Sequence, residues 1–244
     1  MDLSRATAIV TGANRGLGAE IIHALRKAGV AKIYAGMRNP VDPGLDGVVP
    51  LRLDVTDQEQ IDAAAVKCAD VTLLVNNAGV AFFLPLIAAN NLDAARLEME
   101  TNYFGMLRLC RAFAPILGRN GGGAIANILS TSSWVNTGFL GSYAASKAAQ
   151  WSLTMGVRIE LRGQGTLVAG LHCGYLDTDM ATSVVGRKSK PSDVAAALVE
   201  GLRHDREEIL ADARAADLKA RLNDLRSIEA RLQAAWDENA ARAF

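Results

Sequence analysis

Cysteine is scarce and scattered. Cys68, Cys110 and Cys173 lie far apart with no C-x-x-C pair among them, so neither a disulfide framework nor a thiolate zinc site is expected, and a reducing cytosol fits. Aromatic residues make up 5% of the chain, too few to supply stacking platforms for single-stranded nucleic acid. Neither sign of charge prevails. The 26 Lys and Arg offset 26 Asp and Glu, which removes any general attraction to nucleic acid or to an anionic membrane. No run of about 18 apolar residues occurs, so no membrane-spanning helix is expected. The first residues lack a basic segment followed by a long apolar one, so no secretory leader is expected either.

What remains is hydrophobic substance. Half of the 244 residues are hydrophobic, enough for the core of one large domain covering residues 1–244. Short β-rich apolar runs alternate with longer helical ones. Strands are expected at 7–10, 32–36, 49–53, 71–75, 124–129 and 166–171, and helices at 17–27, 58–68, 92–117 and 143–161. Strands apolar on both faces, alternating with helices, indicate an α/β fold with a parallel sheet covered on both sides. Ligands of such sheets bind beyond the carboxyl ends of the strands, and the polar motifs of this chain fall there.

The first junction reads Thr11-Gly12-Ala13-Asn14-Arg15-Gly16-Leu17-Gly18. Glycines at a strand–helix junction let the backbone turn sharply and bring a phosphate to the unpaired N–H groups of the helix start. There is no Gly-Lys-Ser/Thr, so an ATP-type phosphate loop is disfavoured. The second strand ends in Tyr34-Ala35-Gly36-Met37-Arg38 with no carboxylate to accept from an adenosine ribose hydroxyl. Arg38 and Arg15 are instead placed to neutralise a 2′-phosphate, which favours NADP(H) over NAD(H). A solvated surface charge is the alternative for either arginine alone.

Tyr143-Ala144-Ala145-Ser146-Lys147 sets a phenol and an ammonium one helical turn apart. An ammonium at about 4–5 Å and an effective dielectric of about 20 favours the phenolate by roughly 3–4 kcal/mol. That amounts to about 2–3 pKa units down from a free value near ~10, towards the range useful for acid/base catalysis. Ser130 stands thirteen residues before Tyr143, with Thr131, Ser132 and Ser133 as rivals that the offset disfavours.

The glycine loop, Asn76-Asn77-Ala78-Gly79 after the fourth strand, and the Ser130, Tyr143, Lys147 set resemble, in order and spacing, the compact single-domain branch of the short-chain dehydrogenase/reductase family over about residues 5–212. The resemblance implies a Rossmann-like doubly wound sheet and an NADP(H)-dependent oxidoreductase that interconverts a carbonyl compound and an alcohol. Tyr143 would then exchange the proton with the substrate oxygen, and Ser130 would orient the carbonyl. Lys147 would tune the phenol and hold the nicotinamide ribose, and Asn102 would hold a water in the proton relay. Gly12, Asn14, Arg15, Gly16, Leu17 and Gly18 would hold the pyrophosphate end of the cofactor. Arg38, Asp54 and Val55 would line the adenosine end, Asn76, Asn77, Ala78 and Gly79 the groove, and Thr178 the nicotinamide end. The resemblance also suggests a homodimer or homotetramer built on the helices at about 92–117 and 143–162.

Two places depart from that pattern. Cys173 stands where the family usually has proline before Gly174, as a reactive thiol or, preferably, a small apolar filler. Beyond residue 212 the chain carries a helical extension, about 212–244, with one apolar stripe through Leu218, Leu222, Leu225, Ile228, Leu232 and Trp236. It packs on its own domain or forms a subunit contact. Residues 181–191 read as a substrate lid. Phe82, Phe83, Trp134, Phe139, Tyr175, Met180 and Val184 are the candidates for a weakly charged pocket wall, which points to a modest-sized, largely apolar ketone, aldehyde or secondary alcohol. His23, His172 and His204 show no nucleophile elbow beside them, which disfavours a hydrolase. A catalytically silent NADP(H)-binding redox sensor is the reading from another class. A sugar-nucleotide epimerase is disfavoured, because no C-terminal substrate domain follows.

Overall fold

A computed structural model describes residues 1–240, and the side chains of 1–238. Residues 241–244, the end of the expected C-terminal extension, lie outside the described residues. Seven strands form a single sheet in the order β3-β2-β1-β4-β5-β6-β7: β1 (Thr7–Thr11), β2 (Lys32–Met37), β3 (Val48–Arg52), β4 (Leu73–Asn76), β5 (Ala124–Ile128), β6 (Leu167–His172) and β7 (Glu208–Leu210). Every neighbouring pair is parallel. The chain winds outward from β1 to β3, returns to β4 beside β1, and then winds the other way. The expected doubly wound sheet is therefore present, with its switch point between the ends of β1 and β4, where such sheets open a crevice. The six expected strands lie within a few residues of those found, and β7 is a seventh that composition did not single out.

Helices cover both faces. On one side α1 (Gly16–Lys27) and α6 (Pro191–Arg203) bury Ile21, Leu25, Leu198 and Leu202 against the sheet. On the other, α2 (Gln58–Lys67), α4 (Gly105–Arg119) and α5 (Gly141–Leu161) bury Ile61, Leu109, Phe113 and Val157. Local chemistry sets the helix starts. Asp57 caps α2 by accepting from the Gln60 N–H at 3.1 Å, and Pro191 opens α6, where its missing N–H has no partner to lose.

The long helix expected over 92–117 is interrupted. α3 (Asp93–Glu98) passes through one wide π turn, Met99–Phe104, before α4 begins. The interruption falls where Asn102, fully buried, is held by tertiary partners: its Oδ1 accepts from the Val80 N–H, and its amide donates to the Val80 carbonyl and the Ser146 hydroxyl. The C-terminal stripe is likewise two helices, α7 (Ala213–Arg221) and α8 (Leu225–Ala240). The break comes at Asp224, whose carboxylate caps α8 by accepting from the Ser227 N–H. Among the described residues no helix is long and apolar enough to cross a membrane.

Candidate active site

At the carboxyl ends of the strands a cavity of about 800 Å³ runs from the glycine loop to α8. Thr11, at the end of β1, fastens the floor of its cofactor end. Its hydroxyl oxygen accepts from the N–H groups of Asn77 and Ala78, both at 3.0 Å, which locks the loop after β4 to the switch point. Gly12, Asn14, Arg15, Gly16, Leu17 and Gly18 form one wall. Gly12 and Gly16 hold φ of +64° and +55°, and a Cβ at Gly18 would lie 2.1 Å from the Gly12 carbonyl oxygen. Only glycine fits such turns. No side chain caps the first N–H groups of α1, so they stand open to an anion at the positive end of the helix dipole. This cradle fits the pyrophosphate of a dinucleotide.

Arg38, Asp54 and Val55 line the adjoining part of the cavity, and Asn77, Ala78, Gly79 and Thr178 continue it. Arg38 is exposed and has no ion-pair partner among the described residues, whereas Arg15 is paired with Asp179. The Asp54 carboxylate turns back on its own loop, accepting from the Thr56 N–H at 3.0 Å and hydroxyl at 2.8 Å. Asn76 departs from expectation. Buried at the end of β4, it donates to Asn127 Oδ1 at 2.8 Å and stands outside the cavity wall. As the last residue of the strand, it points into the helix-covered layer while its neighbour Asn77 faces the groove.

Ser130, Tyr143 and Lys147 converge on the same cavity from the end of β5 and the first turns of α5. Ser130 Oγ accepts from the Ser132 N–H at 3.1 Å. Lys147 Nζ lies 5.7 Å from the Tyr143 ring centroid and donates to the Ile128 carbonyl at 2.9 Å. The pKa expectation needs correction. Burial pushes the Tyr143 phenol up, with Cys173, Tyr175 and Glu98 adding to the rise and the Ser130 hydrogen bond opposing it. Burial also brings Lys147 down to about 8. Desolvation outweighs the pairing, because the ammonium is turned to a carbonyl and is itself out of water. Burial thus favours the neutral form of the Tyr143 phenol. Asn102 is held behind the cavity wall, its side chain clamping Val80 and Ser146.

Of the candidates for the substrate wall, Tyr175, Met180 and Phe83 line the cavity. Phe82, Trp134, Phe139 and Val184 do not: Trp134 stacks on His172 at 4.0 Å and Phe139 packs on Trp236 at 4.5 Å. Both aromatics are spent on partners remote in sequence. The wall that composition did not reveal comes from the C-terminal helices, through Arg214, Asp217 and Leu218 of α7 and Ile228 and Leu232 of α8. Their period was visible in the sequence, but not the surface they cover. Cys173 is buried among the lining residues, and burial raises its thiol to about 12, which makes it an inert filler.

A glycine-cradled dinucleotide groove joined to a serine, tyrosine and lysine set on a doubly wound sheet defines a nicotinamide-dependent oxidoreductase acting on CH–OH and C=O groups. A family model described as short chain dehydrogenase matches residues 6–189, and the chain belongs to that family. It is 34% identical over 222 residues to galactitol 2-dehydrogenase (L-tagatose-forming) of Cereibacter sphaeroides, covering 80% of this chain and 87% of that one. A short chain dehydrogenase from Burkholderia cenocepacia J2315, solved in complex with NADP, superposes with a TM-score of 0.90 at 39% identity, covering 95% of this chain and 99% of that one. A relative from Burkholderia phymatum, solved in complex with NAD, shares the fold at 24% identity and a TM-score of 0.81, covering 93% and 96%.

Proposed function

We propose that this protein is an NADP(H)-preferring reductase of modest-sized, largely apolar ketones or aldehydes, in which Tyr143 supplies the proton. The observation that carries the reading is the convergence of Ser130, Tyr143 and Lys147 on the cavity that also holds the glycine cradle and Arg38. When bound, the cofactor supplies the hydride. The chain's own residues do the rest. The Ser130 hydroxyl, anchored through its oxygen by the Ser132 N–H, donates to the carbonyl oxygen and fixes its orientation. The neutral Tyr143 phenol donates its proton to the same oxygen as negative charge develops there, and a preorganised donor in a water-poor cavity costs no reorganisation at that moment. Lys147, fixed by the Ile128 carbonyl, keeps its remaining donors towards the cavity, where the ribose hydroxyls would sit. The apolar wall from Phe83, Leu218, Ile228 and Leu232 favours a substrate with a hydrocarbon substituent, and a strong preference for polyols would refute that part.

The test is NADPH oxidation over a panel of ketones and aldehydes, with NADH run alongside and Tyr143→Phe as the control. Losing the phenolic proton should cut kcat by at least about 10³-fold and leave the NADPH Kd within about twofold. Turnover surviving in Tyr143→Phe would refute the acid assignment, and no turnover of any carbonyl by the unmodified protein would favour a silent NADP(H) sensor.

A further inference from the structure

Glu98 is a buried carboxylate that the reaction described above does not use. Its side chain is 1% exposed, at the end of α3 and directly before the π turn. Among the described residues it has no cationic partner. Instead, Oε1 accepts from the Phe82 backbone N–H at 2.8 Å, and Oε2 accepts from the Ser142 hydroxyl. Ser142 immediately precedes Tyr143 in the first turn of α5, a helix whose start has no side-chain cap of its own. A carboxylate at that position is stabilised by the positive end of a 21-residue helix, which accounts for a buried charge without a counter-ion.

Two further observations show what this contact holds. Phe83, next to the clasped N–H, has φ of +55° and lines the cavity. A bulky residue keeps that left-handed conformation only where its surroundings impose it. Gly141, the first residue of α5, is so tightly covered that a Cβ there would lie 2.8 Å from both the Leu84 carbonyl oxygen and the Leu86 nitrogen. The loop that carries Phe83 therefore sits directly on the helix that carries Tyr143, with Glu98 joining the two.

We propose that Glu98 is a positioning residue for carbonyl reduction: its carboxylate fastens the Phe82–Phe83 segment of the substrate wall to the first turn of the catalytic helix. This rests on the assignment of Tyr143 as proton donor. The same negative charge opposes ionisation of the phenol, adding to the larger effect of burial. The other groups facing Tyr143 are Cys173, Tyr175, Ser130 and Lys147, of which Cys173 and Tyr175 also raise it and Ser130 lowers it.

Two substitutions separate the roles. In Glu98→Gln the side-chain carbonyl still accepts from Phe82 while the charge is gone. In Glu98→Ala both are lost. Tyr143 ionisation is read by tyrosinate difference absorbance, each protein against its own Tyr143→Phe counterpart, alongside steady-state reduction with NADPH. Removing one nearby buried charge should lower the Tyr143 titration by roughly half to one pH unit in Glu98→Gln, with the carbonyl KM within about twofold of the unmodified protein. Glu98→Ala should raise the carbonyl KM about tenfold, leaving the NADPH Kd unchanged. An unmoved titration in Glu98→Gln overturns the proposal, as does a Glu98→Ala protein in which KM and NADPH Kd deteriorate together. Should Glu98→Ala fail to fold, the Glu98→Gln titration decides alone. The titration needs no turnover, so an inactive parent protein would sink the proposed reaction without obscuring this result.

Discussion

Arg38 offers the cleanest perturbation of the cofactor groove. It follows directly on β2, lines the cavity, is exposed, and has no ion-pair partner among the described residues, while Arg15 is already engaged with Asp179. Replacing Arg38 by alanine therefore breaks no ion pair seen among the described residues. A 2′-phosphate held by a guanidinium in a solvent-exposed setting gains charge-assisted hydrogen bonds worth about 2 kcal/mol after screening. Since about 1.4 kcal/mol is a factor of ten, the KM for NADPH should rise roughly 30-fold. NADH has only a hydroxyl at that position, so its KM should stay within about twofold. The assay is steady-state reduction of one carbonyl substrate with each coenzyme, at low ionic strength and again at high salt, where the NADPH penalty should shrink. An equal loss with both coenzymes would mean Arg38 supports the groove and does not read the phosphate. No loss with NADPH would refute the electrostatic assignment altogether.

Two further outcomes follow from one buried group and one half-buried one. His172 is 1% exposed, and burial lowers it to about 4, neutral with Nδ1–H donating to the Ser130 carbonyl. The unfolded chain protonates this histidine near about 6.5 while the folded one resists until about 4. Stability should therefore be lost as pH falls through that window, by roughly 3 kcal/mol at most, and a urea midpoint in His172→Gln that declines just as steeply over that range would refute it. Asp212 accepts from the N–H groups of Ala215 and Gly174, each at 2.8 Å, and from the Ser189 hydroxyl at 2.9 Å. Asp212→Ala removes a helix cap and two charge-assisted bonds, so the unfolding free energy should fall by about 3 kcal/mol, and a loss under about 1 kcal/mol in urea titration would count against that network.

What was legible in the sequence was what depends on short-range backbone geometry. The glycines of the first loop are dictated by turn angles and by the approach of α1 to β1, so their spacing alone announces the groove. The pairing of Tyr143 with Lys147 follows from the helical repeat. The direction in which their pKa values move does not, because it depends on how much water the tertiary structure leaves around them. Asn76 and Asn77 are adjacent and chemically identical. Which of them faces the groove is settled by the pleat of β4 and its register with β5, neither of which adjacency reveals. Phe82 and Phe83 repeat the lesson, since a left-handed turn at Phe83 sends one side chain to solvent and the other into the cavity.

The C-terminal stripe shows why a clear period leaves its role open. Leu218, Ile228 and Leu232 recur in sequence at helical spacing across two helices, yet such a period identifies apolar faces without naming what covers them. Here the face lines the cavity, and Trp236 secures it against Phe139. The same helices reach the proton machinery from behind: Lys219 lies over Trp134, Trp134 stacks on His172, and His172 donates to the Ser130 carbonyl. The residues that would move the proton are thus carried by β5 and α5, inside the sheet architecture, whereas much of the surface that would meet the substrate's hydrocarbon part is carried by two helices added after the last strand. Substitutions at Ile228 and Leu232 can then reshape the pocket from α8, which is separate in the chain from the glycine loop before α1 and from the start of α5.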